Sequence, residues 1–341
     1  MANMMLAAGA CGLALSIGAL ASGAPWIRQF FYLPVWWSYL MLVGGANRRL
    51  AGAASTPAGA PCRTPSDSAL AAGARPAEGA PSWIADRPGT YARMALFSVP
   101  AWLIYEALNL RLANWEYWEL PEPLWIRWPG YVLAFATVLP AILETAAFCA
   151  TLLRRGVDPG RGAVPDAVSD VTLKASFCLG VVCLALPMLW PRLFFGLVWA
   201  PAFLMIEPWL ARRRPRRSWL ASLSAGKARD LSALLLSGLI CGLLWESLNF
   251  WAGAKWKYTV PWPKGPKLFE MPLLGYLGFL PFALGCSSLW HFFETRWETA
   301  APAARVAAAA ALGALSLLAL WAIDARTVRS LVPLARLFGT I

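Results

Sequence analysis

Charge is what this sequence is short of. Only 14% of its 341 residues are Asp, Glu, Lys or Arg, where soluble domains carry roughly a quarter. Histidine occurs once, as His291, so no multi-histidine metal centre can form within the chain. The seven cysteines include no Cys-x-x-Cys spacing, and only Cys62 lies clearly outside an apolar run. That pattern argues against a zinc site and a disulfide framework, and the cysteines read as small buried hydrophobes. Also missing are a Gly-rich phosphate loop, a serine-nucleophile elbow and an aspartate-rich diphosphate motif. Their absence argues against an ATPase, a serine hydrolase and the magnesium-dependent prenyl transferases. Neither a metal nor a cofactor is expected.

What the chain has is apolar surface. Hydrophobic residues make up 59% of it, and 20 are tryptophan, a residue that collects at membrane–water boundaries. No soluble core of this size could hide so much apolar area. The expected fold is therefore an all-α polytopic transmembrane bundle. A helix needs roughly 20 apolar residues to cross a bilayer. Candidate spans run over about 5–22, 29–46, 94–112, 130–153, 175–190, 193–210, 231–252, 272–293 and 305–323. The first has the length of a signal peptide but no basic start, so it reads as an uncleaved span.

The net charge of +12 does not indicate nucleic acid, because the basic residues cluster in loops between the apolar runs. Arg48, Arg49, Arg63, Arg75, Arg87 and Arg93 follow span two. Arg154, Arg155, Arg161 and Lys174 follow span four. Arg212, Arg213, Arg214, Arg216, Arg217, Lys227 and Arg229 follow span six. The positive-inside rule places these loops and the N-terminus in the cytoplasm, with the C-terminus outside. The expected location is a bacterial inner membrane, with membrane lipid as the surrounding partner. Lys255, Lys257, Lys264 and Lys267 break the pattern. Residues 50–92, rich in Ala, Gly, Pro and Ser, read as a flexible linker. Residues 327–341 alternate apolar and basic positions and read as an amphipathic surface helix.

The chain also repeats itself. Tyr105-Glu106-Ala107-Leu108-Asn109 is echoed by Trp245-Glu246-Ser247-Leu248-Asn249. Trp115-Glu116-Tyr117 is echoed by Trp256-Lys257-Tyr258. Arg28-Gln29-Phe30-Phe31 matches Arg192-Leu193-Phe194-Phe195, Arg48-Arg49 matches Arg212-Arg213, and Leu139-Pro140 matches Leu280-Pro281. Matches in one order predict two four-helix copies, 1–153 and 170–294, with residues 305–341 as an extra span and tail. An even number of spans makes the copies parallel, about a pseudo-twofold axis along the membrane normal.

Ionisable groups inside a membrane are costly and tend to have a role. Residues three apart share a helix face, so Glu106 projects beside Asn109 and Glu246 beside Asn249. If both spans line the axis, the two carboxyls face each other and share a proton, each oriented by its amide. Such a site suits acid/base chemistry on a lipid-like or isoprenoid-like substrate, or a proton relay in a small-molecule transporter. The same pairs also suit plain helix–helix glue in a scaffold protein. Glu144, unmatched in the other copy, is a further catalytic candidate. Trp115, Tyr117, Trp256 and Tyr258 are candidates for binding the apolar substrate. Glu207 reads as a snorkelling side chain and Glu270 as a carboxylate at the start of span eight.

Trp256-Lys257-Tyr258, Phe269-Glu270-Met271-Pro272, Tyr276 and Phe279 resemble motifs of the heterodimer-type lycopene cyclase domain, an all-transmembrane family. There a Trp-x-Tyr precedes a Pro-x-Glu-Glu; here Glu270 comes before Pro272 and no Glu-Glu pair follows. The resemblance covers about two dozen residues. It implies acid chemistry on an apolar substrate.

Overall fold

The computed structural model describes residues 1–54, 82–154, 168–225, 228–262 and 265–337. Long helices run back and forth. They are α1 (Ala2–Ala21), α3 (Tyr32–Ala54) after the short α2 (Pro25–Phe30), and α5 (Pro88–Leu112) after the short α4 (Trp83–Asp86). Next come α6 (Leu124–Phe135), α7 (Val138–Arg154), α8 (Asp170–Leu189), the short α9 (Pro191–Phe194) and α10 (Pro201–Arg213). The series ends with the short α11 (Trp219–Ser224), α12 (Ala228–Trp251), α13 (Phe279–Thr299) and α14 (Pro302–Arg326).

Among the described residues, 7 helical segments are long and apolar enough to cross a membrane, with α6 and α7 counted as one and α9 joined to α10. By length and composition these helices fit a chain that lies in a membrane. The two expected spans outside that count are α3 and α5. Both are of spanning length, 23 and 25 residues. Each carries polar groups that lower its hydropathy: Asn47, Arg48 and Arg49 in α3; Arg93, Glu106, Asn109 and Arg111 in α5.

Small residues let backbones close up where no hydrophobic drive separates helix from lipid. A Cβ on Gly9 would sit 2.7 Å from Ser38 O, and one on Gly45 would crowd Leu6 and Ala2, so α1 lies tight on α3. Gly238 and Gly242 seat Phe279 against α12 in the same way. The α6–α7 break is stitched by Ser98, whose hydroxyl donates to Phe135 O (2.5 Å) and accepts from Leu139 N (3.0 Å). Backbone groups freed inside a membrane need such a partner. Trp36, Leu40, Met94, Leu139, Phe282 and Trp290 are fully buried in the shared core.

The helix ends opposite the basic loops carry short strands. β1 (Trp115–Trp118) follows α5, and β2 (Leu120–Pro121) follows it directly. β3 (Lys255–Tyr258), β4 (Lys267–Leu268) and β5 (Met271–Pro272) lie between α12 and α13, and β6 (Leu331–Val332) follows α14. β1 pairs antiparallel with β3 in the register Trp115↔Tyr258, Glu116↔Lys257, Tyr117↔Trp256. β2 pairs parallel with β6, and β4 antiparallel with β5.

Two expectations are corrected here. Where an amphipathic helix was expected from residue 327, the chain instead lies along β1 and β2. Tyr117 N donates to Thr327 O, Arg329 N to Tyr117 O and Leu120 N to Ser330 O, at 2.8–3.1 Å. Only Leu334–Leu337 makes a helical turn, and 338–341 lie outside the described residues. The expected linker also shrinks. Residues up to 54 continue α3, and α4 and α5 begin at Trp83 and Pro88. Residues 55–81 lie outside the described residues.

Candidate functional site

Glu106 sits in the penultimate turns of α5, buried at 1% exposure. Trp102, one turn earlier on the same face, donates its indole N–H to Oε1 (2.8 Å). β1 turns back over the helix end and adds two more donors. Trp115 Nε1–H reaches Oε1 at 3.2 Å, and the Tyr117 hydroxyl donates to Oε1 at 2.5 Å. Burial, then the Glu106 charge beside it, pushes the Tyr117 phenol above its usual range, so it stays a donor. The return of the chain is fixed by Asn109. Its Nδ2 donates to Trp115 O (2.9 Å), and its Oδ1 accepts from Asn114 N (2.8 Å) and Trp115 N (3.3 Å). Ala113, at φ 51°, makes the left-handed turn between helix and strand.

Glu246 is the counterpart at the end of α12, and is also buried. Tyr258 of β3 donates to its Oε1 (2.7 Å). The Tyr258 oxygen in turn accepts from Trp256 Nε1–H (3.1 Å). Burial, then Glu246, pushes this phenol up as well. Asn249 repeats the tie, donating to Trp256 O and accepting from Trp256 N, both at 2.9 Å. Among the described residues, none of α12 donates to Glu246 as Trp102 donates to Glu106. Glu246 Oε2 is a buried oxygen without a hydrogen-bond partner among the described residues.

A cavity of about 180 Å³ lies between these two helix ends, beneath the β1–β3 ribbon. One water needs roughly 10–15 Å³, so the space suits an organic group. Its wall is aromatic, with Trp102, Trp115, Tyr117, Trp199, Trp245, Trp256, Tyr258 and Phe282. Glu246, Gln29, Arg127 and Lys255 add polar groups. Rings stack around it, Tyr105 on Trp199 at 5.1 Å and Trp115 on Trp199 at 6.1 Å.

The four aromatic candidates Trp115, Tyr117, Trp256 and Tyr258 therefore line one cavity. Other expectations change. Each amide serves its own following strand and not its neighbouring carboxyl, because the helix ends within a turn of it and leaves backbone groups to satisfy. No hydrogen bond links Glu106 to Glu246; each is held by the tyrosine of its own strand. Glu144 is elsewhere. It accepts from Asn47 Nδ2 (2.8 Å), Ile84 N (2.8 Å) and the Ser82 hydroxyl (3.4 Å), and so holds α4. Glu207 does not snorkel but is fully buried. It accepts from the Ser218 hydroxyl (2.8 Å), Leu220 N (3.2 Å) and the Ser288 hydroxyl (2.7 Å), and so holds α11. Glu270 lies in the β4–β5 turn, and neither the 3₁₀ turn that follows nor α13 has an acid in its first turn. His291 is half-buried in α13, with Nδ1 unpartnered among the described residues.

Sequence reasoning missed several residues. Ser82-Trp83-Ile84-Ala85 and Ser218-Trp219-Leu220-Ala221 are near-identical tetrapeptides. In each the serine caps a short helix, accepting from the alanine N–H at 3.2 Å, and a buried glutamate holds it. The glutamate comes from α7 in one case and α10 in the other, so alignment alone hides the shared role. Glu119-Leu120-Pro121 and Glu270-Met271-Pro272 are a second pair. A left-handed residue opens the first, Glu119 (φ 55°), and comes just before the second, Phe269 (φ 58°). Asp324, a lone acid in apolar α14, also went unread. It binds Arg127 through two 2.9 Å bonds and accepts from Trp128 Nε1 (2.8 Å) and Tyr131 OH (3.1 Å).

Comparison with protein-family models, with curated proteins and with solved structures finds no match to this chain.

Proposed function

We propose that this protein is a membrane-embedded enzyme that moves a proton to and from an apolar, isoprenoid-like or other lipid-like substrate, with Glu246 as the acid and base. One observation carries this reading: a carboxyl with an unpartnered oxygen in the wall of an aromatic cavity. Glu246 gives a proton from Oε2 to a carbon–carbon double bond of the substrate. The substrate cation then lies among indole faces that attract positive charge. The Glu246 carboxylate, still receiving the Tyr258 O–H bond, takes a proton back from a neighbouring carbon. The product is an isomer or a cyclised isomer, with no atom gained or lost and no cofactor consumed. The local resemblance to the lycopene cyclase domain points to the same class of chemistry.

A structural role suits Glu106 better, because three donors already occupy its carboxyl. Glu106, Asn109 and Asn249 then act as positioning residues that fix the ribbon over the cavity, and Glu144 holds α4.

The same reading includes nine spans in a bacterial inner membrane, the N-terminus and basic loops cytoplasmic, and two parallel copies related by a pseudo-twofold. The β1–β3 register supports that symmetry. Exchanging Trp115 with Trp256, Glu116 with Lys257 and Tyr117 with Tyr258 maps the pairing onto itself. The duplicated Asn-to-strand and Tyr-to-Glu bonds, and the duplicated serine caps, support it too.

The test is expression of wild type, Glu246→Gln and Glu106→Gln at matched protein level, with the neutral and isoprenoid lipids of the membranes profiled. A lipid change produced by wild type and lost in Glu246→Gln is the expected result. Identical profiles for wild type and Glu246→Gln at equal protein level overturn the reading.

A further inference from the structure

A second recess lies at the basic end of the molecule, in a groove between α8 and α10. Its volume is about 450 Å³. Leu173, Lys174, Phe177 and Cys178 form one wall, at the one- and four-residue steps of a single helix face. Met205, Pro208, Trp209, Arg212 and Arg213 form the other, again one face. The cations are at the rim, since Lys174 is in the second turn of α8 and Arg212 and Arg213 are in the last turn of α10. The apolar groups lie one to two turns deeper, at 5.4 Å per turn.

The groove is open to the perimeter of the bundle. Val171 is 77% exposed and Phe177 46%, as expected of a lipid-facing helix. Deeper in, α8 is bolted to α10 by the Ser176 hydroxyl on Leu204 O (2.8 Å) and by Gly180, where a Cβ would reach Met205 at 2.5 Å. The matching α1–α3 contact is tight on Gly9, Gly12 and Gly45. At the rim Asp170 pairs with Arg212 at 2.7 Å. Lys174 and Arg213 have no ion-pair partner among the described residues. Among the described residues the rim therefore carries three cations against one anion.

We infer that this groove is a binding site for an anionic glycerophospholipid. Its phosphate is held by Lys174 and Arg213 beside the Arg212–Asp170 pair, and one acyl chain lies along Phe177, Met205 and Trp209. Cations at headgroup depth above an apolar channel match that ligand's charge and shape, and basic recesses between spans recognise anionic headgroups. A zwitterionic lipid would meet the rim with no net charge. This inference is independent of the proton chemistry at the other end of the bundle.

Native mass spectrometry of the full chain released from mixed phosphatidylglycerol and phosphatidylcholine bilayers tests it. Wild type is expected to retain phosphatidylglycerol in preference to phosphatidylcholine. Each rim cation removed should cost about fivefold in affinity, so Lys174→Gln with Arg213→Gln should lose roughly 25-fold. Asp170→Asn should bind more tightly, and Arg216→Gln, outside the groove, should match wild type. If the double variant does not fold, the Asp170→Asn gain decides the question on its own. Equal retention of the two lipids, no loss in a folded double variant, or displacement by inorganic phosphate at the lipid's own concentration would overturn the inference.

Discussion

The arm carrying Glu106 and the arm carrying Glu246 begin from nearly the same sequence and end in different states. The first is closed from all sides. Its carboxyl has three donors, and the segment after α14 runs along β1 and β2. Arg127 is clamped by Asp324 and donates to Pro121 O and Glu122 O as well. Arg329 takes the charge of Glu116, and Gln29 Nε2 donates to Glu119 O. The second arm is tied differently, by Gly253 N on Arg28 O (2.8 Å) and Trp262 Nε1 on Arg192 O (2.7 Å). Its carboxyl keeps one donor and one unpartnered oxygen. Lys257, opposite Glu116 in the register, rests over the Trp118 ring, 4.6 Å from its centroid. Two similar segments thus end with one carboxyl held by three donors and one with a buried oxygen that has no partner among the described residues.

The largest expected effect breaks that contrast on the closed side. Glu106→Ala leaves three donors, two of them buried, without an acceptor, each worth about 1–3 kcal/mol. Its unfolding midpoint in detergent should fall far more than that of Glu246→Ala, which strands one phenol. Equal losses would remove the distinction between the arms. Next comes the clamp. Arg127 and Asp324 are only 7% and 14% exposed, and removing one partner of a buried pair costs about 3–5 kcal/mol. Asp324→Ala should therefore destabilise the protein by that order. It should also raise amide exchange in β1, β2 and β6 more than in β3, a difference hydrogen-exchange mass spectrometry can read. A third comparison sharpens what the arms share. Asn109→Ala and Asn249→Ala each release two or three backbone bonds at a helix end, so each should cost about 1–3 kcal/mol and the two should agree. A much smaller loss at Asn249 would mean that the second strand is held by something else. The smallest expected change in stability is Glu246→Gln, because an amide oxygen still accepts from Tyr258.

Much of this was legible. Apolar runs separated by basic loops gave the helices, because a bilayer permits little else. The doubled Glu-x-x-Asn block marked both helix ends beneath the ribbon. The roles of its two residues were not legible, since sharing a helix face does not make two side chains partners. Asn109 and Asn249 stand where their helices stop, and the orphaned backbone of the next strand claims them first. The ribbon was readable in principle, because Trp-x-Tyr alternates with the period of a strand. Val328 to Val332 carries no such signal, because Arg329-Ser330 and Leu331-Val332 are like pairs and not alternating residues. Glu144 and Glu207 resisted because one helix-holding role is filled from different helices in the two halves. Asp324 was visible as a lone acid in an apolar span, but its partner Arg127 is 197 residues away.

Labelling with an apolar carbodiimide measures the difference between the two carboxyls most directly. The reagent adds to a carboxylic acid it can reach within an apolar surrounding and leaves a stable acylurea that peptide mass spectrometry locates. The expected result is modification at Glu246, none at Glu106, and protection of Glu246 when an apolar ligand fills the cavity. Modification at Glu106 in the folded protein, or none at Glu246, would contradict the assignment of the open carboxyl to the second arm.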